Sequence, residues 1–519
     1  MCHRILRCLG VFMMLPAVLL ASCTAGPSNR PAVAVRDANL PPQRLPLTVP
    51  GNLPLPPIGD YYRNSLPWRD CTSLIDIALG MASTRRVECS DIRVDATVGR
   101  PAFGNSLKLD LTRIGDGPAP LIVLSEGSDE PGTVRAARLA QQLPSGLLER
   151  FTLIGLARRG TGPSDPLECI PQFVRNQIIG IDPDPAQTAQ LDFLLDTTRT
   201  AIQSCVQDLG EVLTTINSAA TADDLEQLRI VLNAPVLNII AHGEASRAVT
   251  DFLHTYPTSA GRVVLDGAVD PTVDDVAAAE ADLVAADAGF TAFAANCISR
   301  GCALGPDPRG ALMALGQALR QHPEQAGWQQ ITAGIANQAV LETVGDPERW
   351  PQLAHALAAA RDGDGTELAT LMAPLLTTER GLPARFDPAL AAHCNDTPTR
   401  VPPERAAQLV RQWQQRSPLF GPLFAARLLW CSAWPVPSPA PAPSQDVHLP
   451  PVLVVATTGD PVTPAEGARH AAQSLPSGTL VLWQGQAHGA LPRSPCAVDL
   501  VTRFLMDASV PQQGTLCPP

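Results

Sequence analysis

The sequence predicts an α/β protein: a mostly parallel, doubly wound sheet whose two parts are separated by a long helical insertion. Three observations carry this prediction. Short apolar runs recur along the chain, namely Leu121–Leu124, Phe151–Leu156, Val236–Ile240, Val263–Leu265, Val452–Val455 and Leu480–Trp483. Each is bounded by Gly, Pro, Asp or Ser, as buried strands are. Stretches with helical spacing, such as Gly132–Gln142 and Ala219–Leu232, lie between them, and strand–helix alternation builds parallel sheets. From Asp270 to Trp434 alanine-rich helical segments take over: Val276–Phe293, Ala311–Gln321, Gln352–Arg361 and Gly365–Leu375. No strand-like run is expected there.

The N-terminus reads as an export leader. Arg4 and Arg7 precede an apolar run, Leu9–Ala21, too short to span a bilayer. It ends in Leu20-Ala21-Ser22-Cys23, which resembles the bacterial lipobox. The resemblance implies a signal peptide over 1–22 and a lipid on Cys23. Thr24 stands where an inner-membrane retention aspartate would stand, so the expected location is the cell envelope, anchored to the outer membrane. Residues 23–66 are rich in proline and read as an extended tether. The first part of the core is then expected over 67–270, the helical lid over 271–435, and the rest of the core over 436–519.

Composition narrows the function. The 519 residues carry a formal charge of −12, with 17% charged and 45% hydrophobic residues. That suits a globular chain and excludes the clustered positive charge of a nucleic-acid footprint. Lys108 is the sole lysine. Beyond Cys2, Cys8 and Cys23, the cysteines form an even set: Cys71, Cys89, Cys169, Cys205, Cys297, Cys302, Cys394, Cys431, Cys496 and Cys517. Without CxxC or His-rich spacing they read as disulfides of an oxidising compartment rather than zinc ligands. Pairing of neighbours, as in Cys297–Cys302 and Cys496–Cys517, gives local loops, but spacing alone leaves connectivity open. Asp362-Gly363-Asp364-Gly365 lacks the remaining ligands of a calcium loop and reads as a turn. No metal, nucleotide or flavin motif is present, so no cofactor is expected.

Two residues carry the chemistry. Asp460-Pro461-Val462-Thr463-Pro464 follows the Val452–Val455 strand, and Gly485-Gln486-Ala487-His488-Gly489 follows Leu480–Trp483. An Asp and then a His, each past a late strand, is the order found in α/β-hydrolases. The carboxylate fixes the imidazole tautomer, and the imidazole moves the proton.

Further motifs make the likeness specific. Trp68–Cys71, Glu88-Cys89, Leu265–Pro271, Asp346–Gly363, Cys431–Pro435 and Pro511–Cys517, with Asp460 and His488, resemble the tripeptidyl-aminopeptidase-like hydrolases, a serine peptidase family. The resemblance spans about residues 66 to 517 and implies the α/β-hydrolase fold. It also implies a G-x-S-x-G elbow after the Val236–Ile240 strand. Here the chain reads Ala241-His242-Gly243-Glu244-Ala245-Ser246, which puts Gly243 at the serine's place. A glycine has no hydroxyl to acylate. Ser246 lies about one turn further, roughly 4.5 Å along a helix, and Glu244 sits one place late. Both are weak substitutes, and His242 reads as a packed histidine. Ala157 stands for the aspartate of a D-x-R-G-x-G-x-S segment. The family's Gly-Gly-Pro-Gly run is replaced by Ser125-Glu126-Gly127-Ser128-Asp129-Glu130-Pro131-Gly132, whose acids oppose charge build-up on an intermediate. Asp129 and Glu130 read as solvated loop residues.

The expectation is a fold that outlived its chemistry: a lipoprotein binding a peptide-like or small ligand, or a partner, in the old cleft. The alternative is a hydrolase using Asp460–His488 with another nucleophile. The resemblance implies lid acids that bind a substrate amine, with Glu280 and Asp282 the candidates. An open cleft beside His488 favours binding or catalysis; a collapsed one favours a structural role.

Overall fold

The computed structural model describes residues 66–96, 106–163, 165–182, 189–435 and 449–519. The leader, Cys23 and the tether before Leu66 lie outside the described residues.

One ten-stranded sheet organises the chain. Its strands are β1 (Arg69–Asp70), β2 (Glu88–Asp95), β3 (Ser106–Ile114), β4 (Ala119–Leu124), β5 (Phe151–Leu156), β6 (Leu237–His242), β7 (Ala260–Asp266), β8 (Val452–Thr457), β9 (Gly478–Trp483) and β10 (Thr515–Cys517). The spatial order is β1-β2-β3-β5-β4-β6-β7-β8-β9-β10. The pairings β1–β2, β2–β3 and β3–β5 are antiparallel, and every pairing from β5–β4 to the far edge is parallel. This is the α/β-hydrolase fold.

Sequence pattern explains the split. β4, β5, β6, β7 and β8 are buried at every residue, as strands covered on both faces are, and polar residues in them such as Asn238 and Asp266 are hydrogen-bonded. β2 alternates buried with exposed or half-buried positions from Ser90 onward, as expected near an antiparallel edge. β4 and β6 are neighbours, with Leu124 opposite Ala241. The loop that leaves β4 therefore runs beside the turn that leaves β6. Past the ends of β8 and β9 come Asp460 and His488, on the same edge of the sheet, where ligands of open α/β sheets bind.

Over this edge lies a helical layer with its own apolar core, drawn from residues 167–216 and 283–434 and centred on Phe290, Phe293, Trp413 and Phe420. Its helices include Asp275–Ser299, Pro308–Gln321, Ala333–Val344, Trp350–Arg361, Thr366–Leu376, Phe386–Asp396 and Pro403–Arg416. Local caps set their starts. Asp274 accepts the Ala277 amide (2.9 Å) and Asp307 the Gly310 amide (2.9 Å), with Pro308 in the first turn. One strand pair does occur in the layer, contrary to expectation: Glu324–Ala326 with Gln329–Ile331. Asp362–Gly365 is an inter-helix turn in which Asp364 accepts the Thr366 amide, and no metal-binding cluster is found among the described residues.

The cysteines form five disulfides: Cys71–Cys89, Cys169–Cys205, Cys297–Cys302, Cys394–Cys431 and Cys496–Cys517. Each joins consecutive members of the set.

Candidate functional site

Asp460 lies in a turn built to hold a carboxylate. Oδ1 accepts the amides of Val462 and Thr463, both at 2.9 Å, while Oδ2 accepts the Thr463 hydroxyl at 2.9 Å and the Gly489 amide at 2.8 Å. His488 Nδ1 lies 3.1 Å from Oδ1 and 3.2 Å from Oδ2. Its backbone amide donates to Gly345 of the helical layer (2.8 Å), so the layer helps fix the imidazole. The two residues singled out in the sequence are thus brought together.

The other face of the imidazole meets an unexpected residue. His488 Nε2 lies 3.5 Å from Glu126 Oε1, an ion-pair separation without a hydrogen bond. Glu126 Oε2 accepts the Glu244 amide at 3.2 Å, and Ser128 Oγ donates to Oε1 at 2.9 Å. In a serine hydrolase the amide after the nucleophile belongs to the oxyanion hole. Here a carboxylate of the protein itself occupies that donor.

Gly243 explains how it fits. Its φ of +61° is the left-handed turn expected of an elbow. A Cβ built on it would lie 2.8 Å from Glu126 Cδ and would overlap Oε2. The Glu126 carboxylate therefore fills the space that a serine side chain at position 243 would take. Glycine at this position and glutamate in the loop after β4 are complementary in shape.

Charge follows geometry. Burial opposes ionisation of Glu126, but His488, His242 and the Glu244 amide outweigh it and hold the carboxyl well below the usual range. Burial likewise opposes a charge on His488, yet the Asp460 and Glu126 carboxylates hold the imidazole well above its ordinary value. The result is a buried carboxylate–imidazolium–carboxylate row. His242 packs on His488 with ring centroids 4.3 Å apart. Its burial, with Arg135 and His488 nearby, pushes its imidazole below the ordinary value, against the pull of Asp266.

The remaining candidates point elsewhere. Ser246 is buried, and its hydroxyl accepts the Val269 amide at 3.2 Å. Glu244 turns its side chain to Arg158 at 2.6 Å. Glu130 is not solvated as expected but buried, with a two-point bond from Arg138, both at 2.7 Å, whereas Asp129 is partly exposed and pairs with Arg135 at 3.2 Å. The arginines offset the charge that the sequence alone placed beside an intermediate. Glu280 pairs with Arg416 on the surface and does not line the cleft. Asp282 does.

The cleft is open. A cavity of about 1220 Å³ lies beneath the helical layer, with Glu126 and His488 on its floor and Asp282, Glu342 and Arg427 in its wall. Burial pushes the Asp282 carboxyl up to about 7 and raises that of Glu342 as well. Burial also lowers Arg427, to about 10.

Comparison with known proteins agrees with this architecture. Residues 417–517 match the family model described as TAP-like protein. The chain has the α/β-hydrolase fold, and its C-terminal region is similar to TAP-like proteins. It is 25% identical to the serine protease Hip1 of Mycobacterium tuberculosis, over 83% of this chain and 87% of that one. It is 26% identical to carboxylesterase B of the same organism, over 87% and 90%. With the tripeptidyl aminopeptidase of Streptomyces lividans the identity is 24%, over 88% and 87%. The five disulfides are consistent with an exported protein.

Proposed function

We propose that this chain binds an amine-bearing, peptide-like ligand in the cleft beneath its helical layer and performs no serine-dependent acyl transfer. One observation carries the reading: Gly243 brings no hydroxyl to His488, and the Glu126 carboxylate holds the place and the amide that acyl transfer requires. The names of the relatives, a serine protease and a tripeptidyl aminopeptidase, favour a peptide-like ligand. The acidic wall at Asp282 and Glu342 suits its amine.

A fluorophosphonate probe is expected to leave the wild-type protein unlabelled, and aminoacyl esters are expected to hydrolyse at the background rate. Labelling that disappears in His488→Ala would defeat the reading.

Ligand binding is expected to depend on pH. An amine stays cationic through neutral pH, whereas Asp282, with its carboxyl raised to about 7, ionises only as pH rises through that value. Affinity for a dipeptide should therefore rise with pH and fall below about 7 by up to about tenfold per unit. The N-acetylated dipeptide should show a flat profile, as should Asp282→Asn. Equal profiles for free and acetylated peptides in calorimetry would remove Asp282 from amine recognition.

A further inference from the structure

We propose that the helix Thr72–Leu79 docks by its exposed apolar face on a bilayer with anionic headgroups, and so holds the cleft beside a membrane. The proposal is independent of the ligand reading above.

The face stands out from the rest of the surface. Thirteen large hydrophobic side chains are exposed among the described residues, and three of them, Leu74 (66%), Ile77 (57%) and Met81 (52%), fall within eight positions. Single exposed hydrophobics need no explanation, whereas a cluster marks an interaction surface. Spacings of three and four put these residues on one side of the helix, while Ile75 and Leu79 on the opposite side are buried. Gly80, at φ +71°, closes the helix in a left-handed turn, and the Met81 amide donates back to the Asp76 carbonyl at 3.2 Å. One side of the helix is packed in the fold. The other is open.

Charge and chain position say what covers it. The neighbouring acids are engaged: Asp70 pairs with Arg86 at 3.1 Å, Asp76 accepts the Ser83 amide at 2.7 Å, and Glu88 accepts Arg113 Nε at 2.8 Å. Exposed Arg69 and Arg85 have no carboxylate partner among the described residues. Arg380, 3.7 Å from Glu379, lays its guanidinium against Gly80. A chain of formal charge −12 thus sets arginines at both ends of this apolar stripe. Apolar side chains flanked by arginines suit the boundary between acyl chains and anionic headgroups. Leu66, where the described residues begin, precedes the helix by six positions, and the sequence before it reads as a tether from a lipid on Cys23. Tethering raises the effective concentration to about millimolar, so a patch of three side chains suffices. The helix also supplies Ala78 and Leu79 to the lining of the cleft, which brings that side of the cleft to the headgroups.

Met81 is a native reporter, and Met313, exposed on the helix Pro308–Gln321, is its internal reference. The exported chain is held at its N-terminus on phosphatidylcholine vesicles, with or without phosphatidylglycerol. Its own lipid provides the hold or, where Cys23 carries none, a histidine tag on a nickel-chelating lipid. Brief treatment with chloramine-T, which stays in water, converts exposed methionine to sulfoxide. On vesicles the ratio of Met81 to Met313 sulfoxide should fall several-fold relative to the chain in solution, and further with phosphatidylglycerol. Leu74→Asp with Ile77→Asp should restore the solution ratio, with a thermal melt to check that the fold is intact. An unchanged ratio on vesicles overturns the proposal, as does equal protection in the double variant. Protection already present in solution and lost on dilution would assign the face to a second copy of the chain, and overturns it too.

Discussion

Gly243→Ser alone is expected to remain silent toward p-nitrophenyl acetate and fluorophosphonate, whereas Gly243→Ser with Glu126→Gly should gain both reactivities. The single variant places Cβ against the Glu126 carboxyl group and a non-glycine residue at φ +61°. Overpacking and positive φ should together lower stability by about 1–3 kcal/mol. More important, Glu126 still holds His488 protonated and still occupies the Glu244 amide. Removing the glutamate side chain frees the imidazole, the amide and the space together. Esterase activity should then exceed the wild type's by about 10²–10⁴-fold, the scale that a positioned general base contributes. Equal activity in the single and double variants would show that Glu126 does not hold the nucleophile's place.

The largest stability effect is expected at Asp224. Arg159 and Asp224 form a two-point pair at 2.7 and 2.8 Å, with both side chains buried to within 3% exposure. Arg159 also donates to the Asp95 carbonyl at 3.0 Å, which ties the turn after β5 to the end of β2. Asp224→Asn leaves a guanidinium buried without its counter-charge and should cost about 3–5 kcal/mol. Removing both charges, as in Arg159→Met with Asp224→Leu, should cost far less, because the cost lies in the unpaired ion. Denaturant midpoints of the two variants decide the matter; similar losses would place the cost in packing instead.

The fold was legible because its central strands carry short apolar runs, as strands covered on both faces do. β3 was not singled out, since Lys108, Asp110, Thr112 and Arg113 interrupt its apolar residues. The little strand pair of the helical layer carries only short polar runs, so no period marks it. Asp460 and His488 were readable from their places after strands. The role of Glu126 was not. Its loss-of-glycine position and the loss of serine at 243 looked like two separate departures from a family pattern. The link between them is spatial: β4 and β6 are paired with Leu124 opposite Ala241. A carboxyl gained beside a hydroxyl lost was the available signal, and sheet order turns it into one compensated change. The lid acids illustrate the converse. Glu280 and Asp282 are two residues apart on one helix, and so point to different sides; only Asp282 reaches the cleft.

The disulfides have a consequence for how the chain is made. Each cysteine is bonded to the next one along the sequence, so no bridge encloses or crosses another. A chain emerging N-terminus first into an oxidising space would present each cysteine with its proper mate before any competitor had appeared. Correct pairing is then the default order of arrival, and little reshuffling by thiol exchange is required. The farthest partners are 37 residues apart, which keeps every closure a short-range event. A helical layer assembled from distant stretches of chain is in this way stapled piece by piece, before the sheet beneath it is complete.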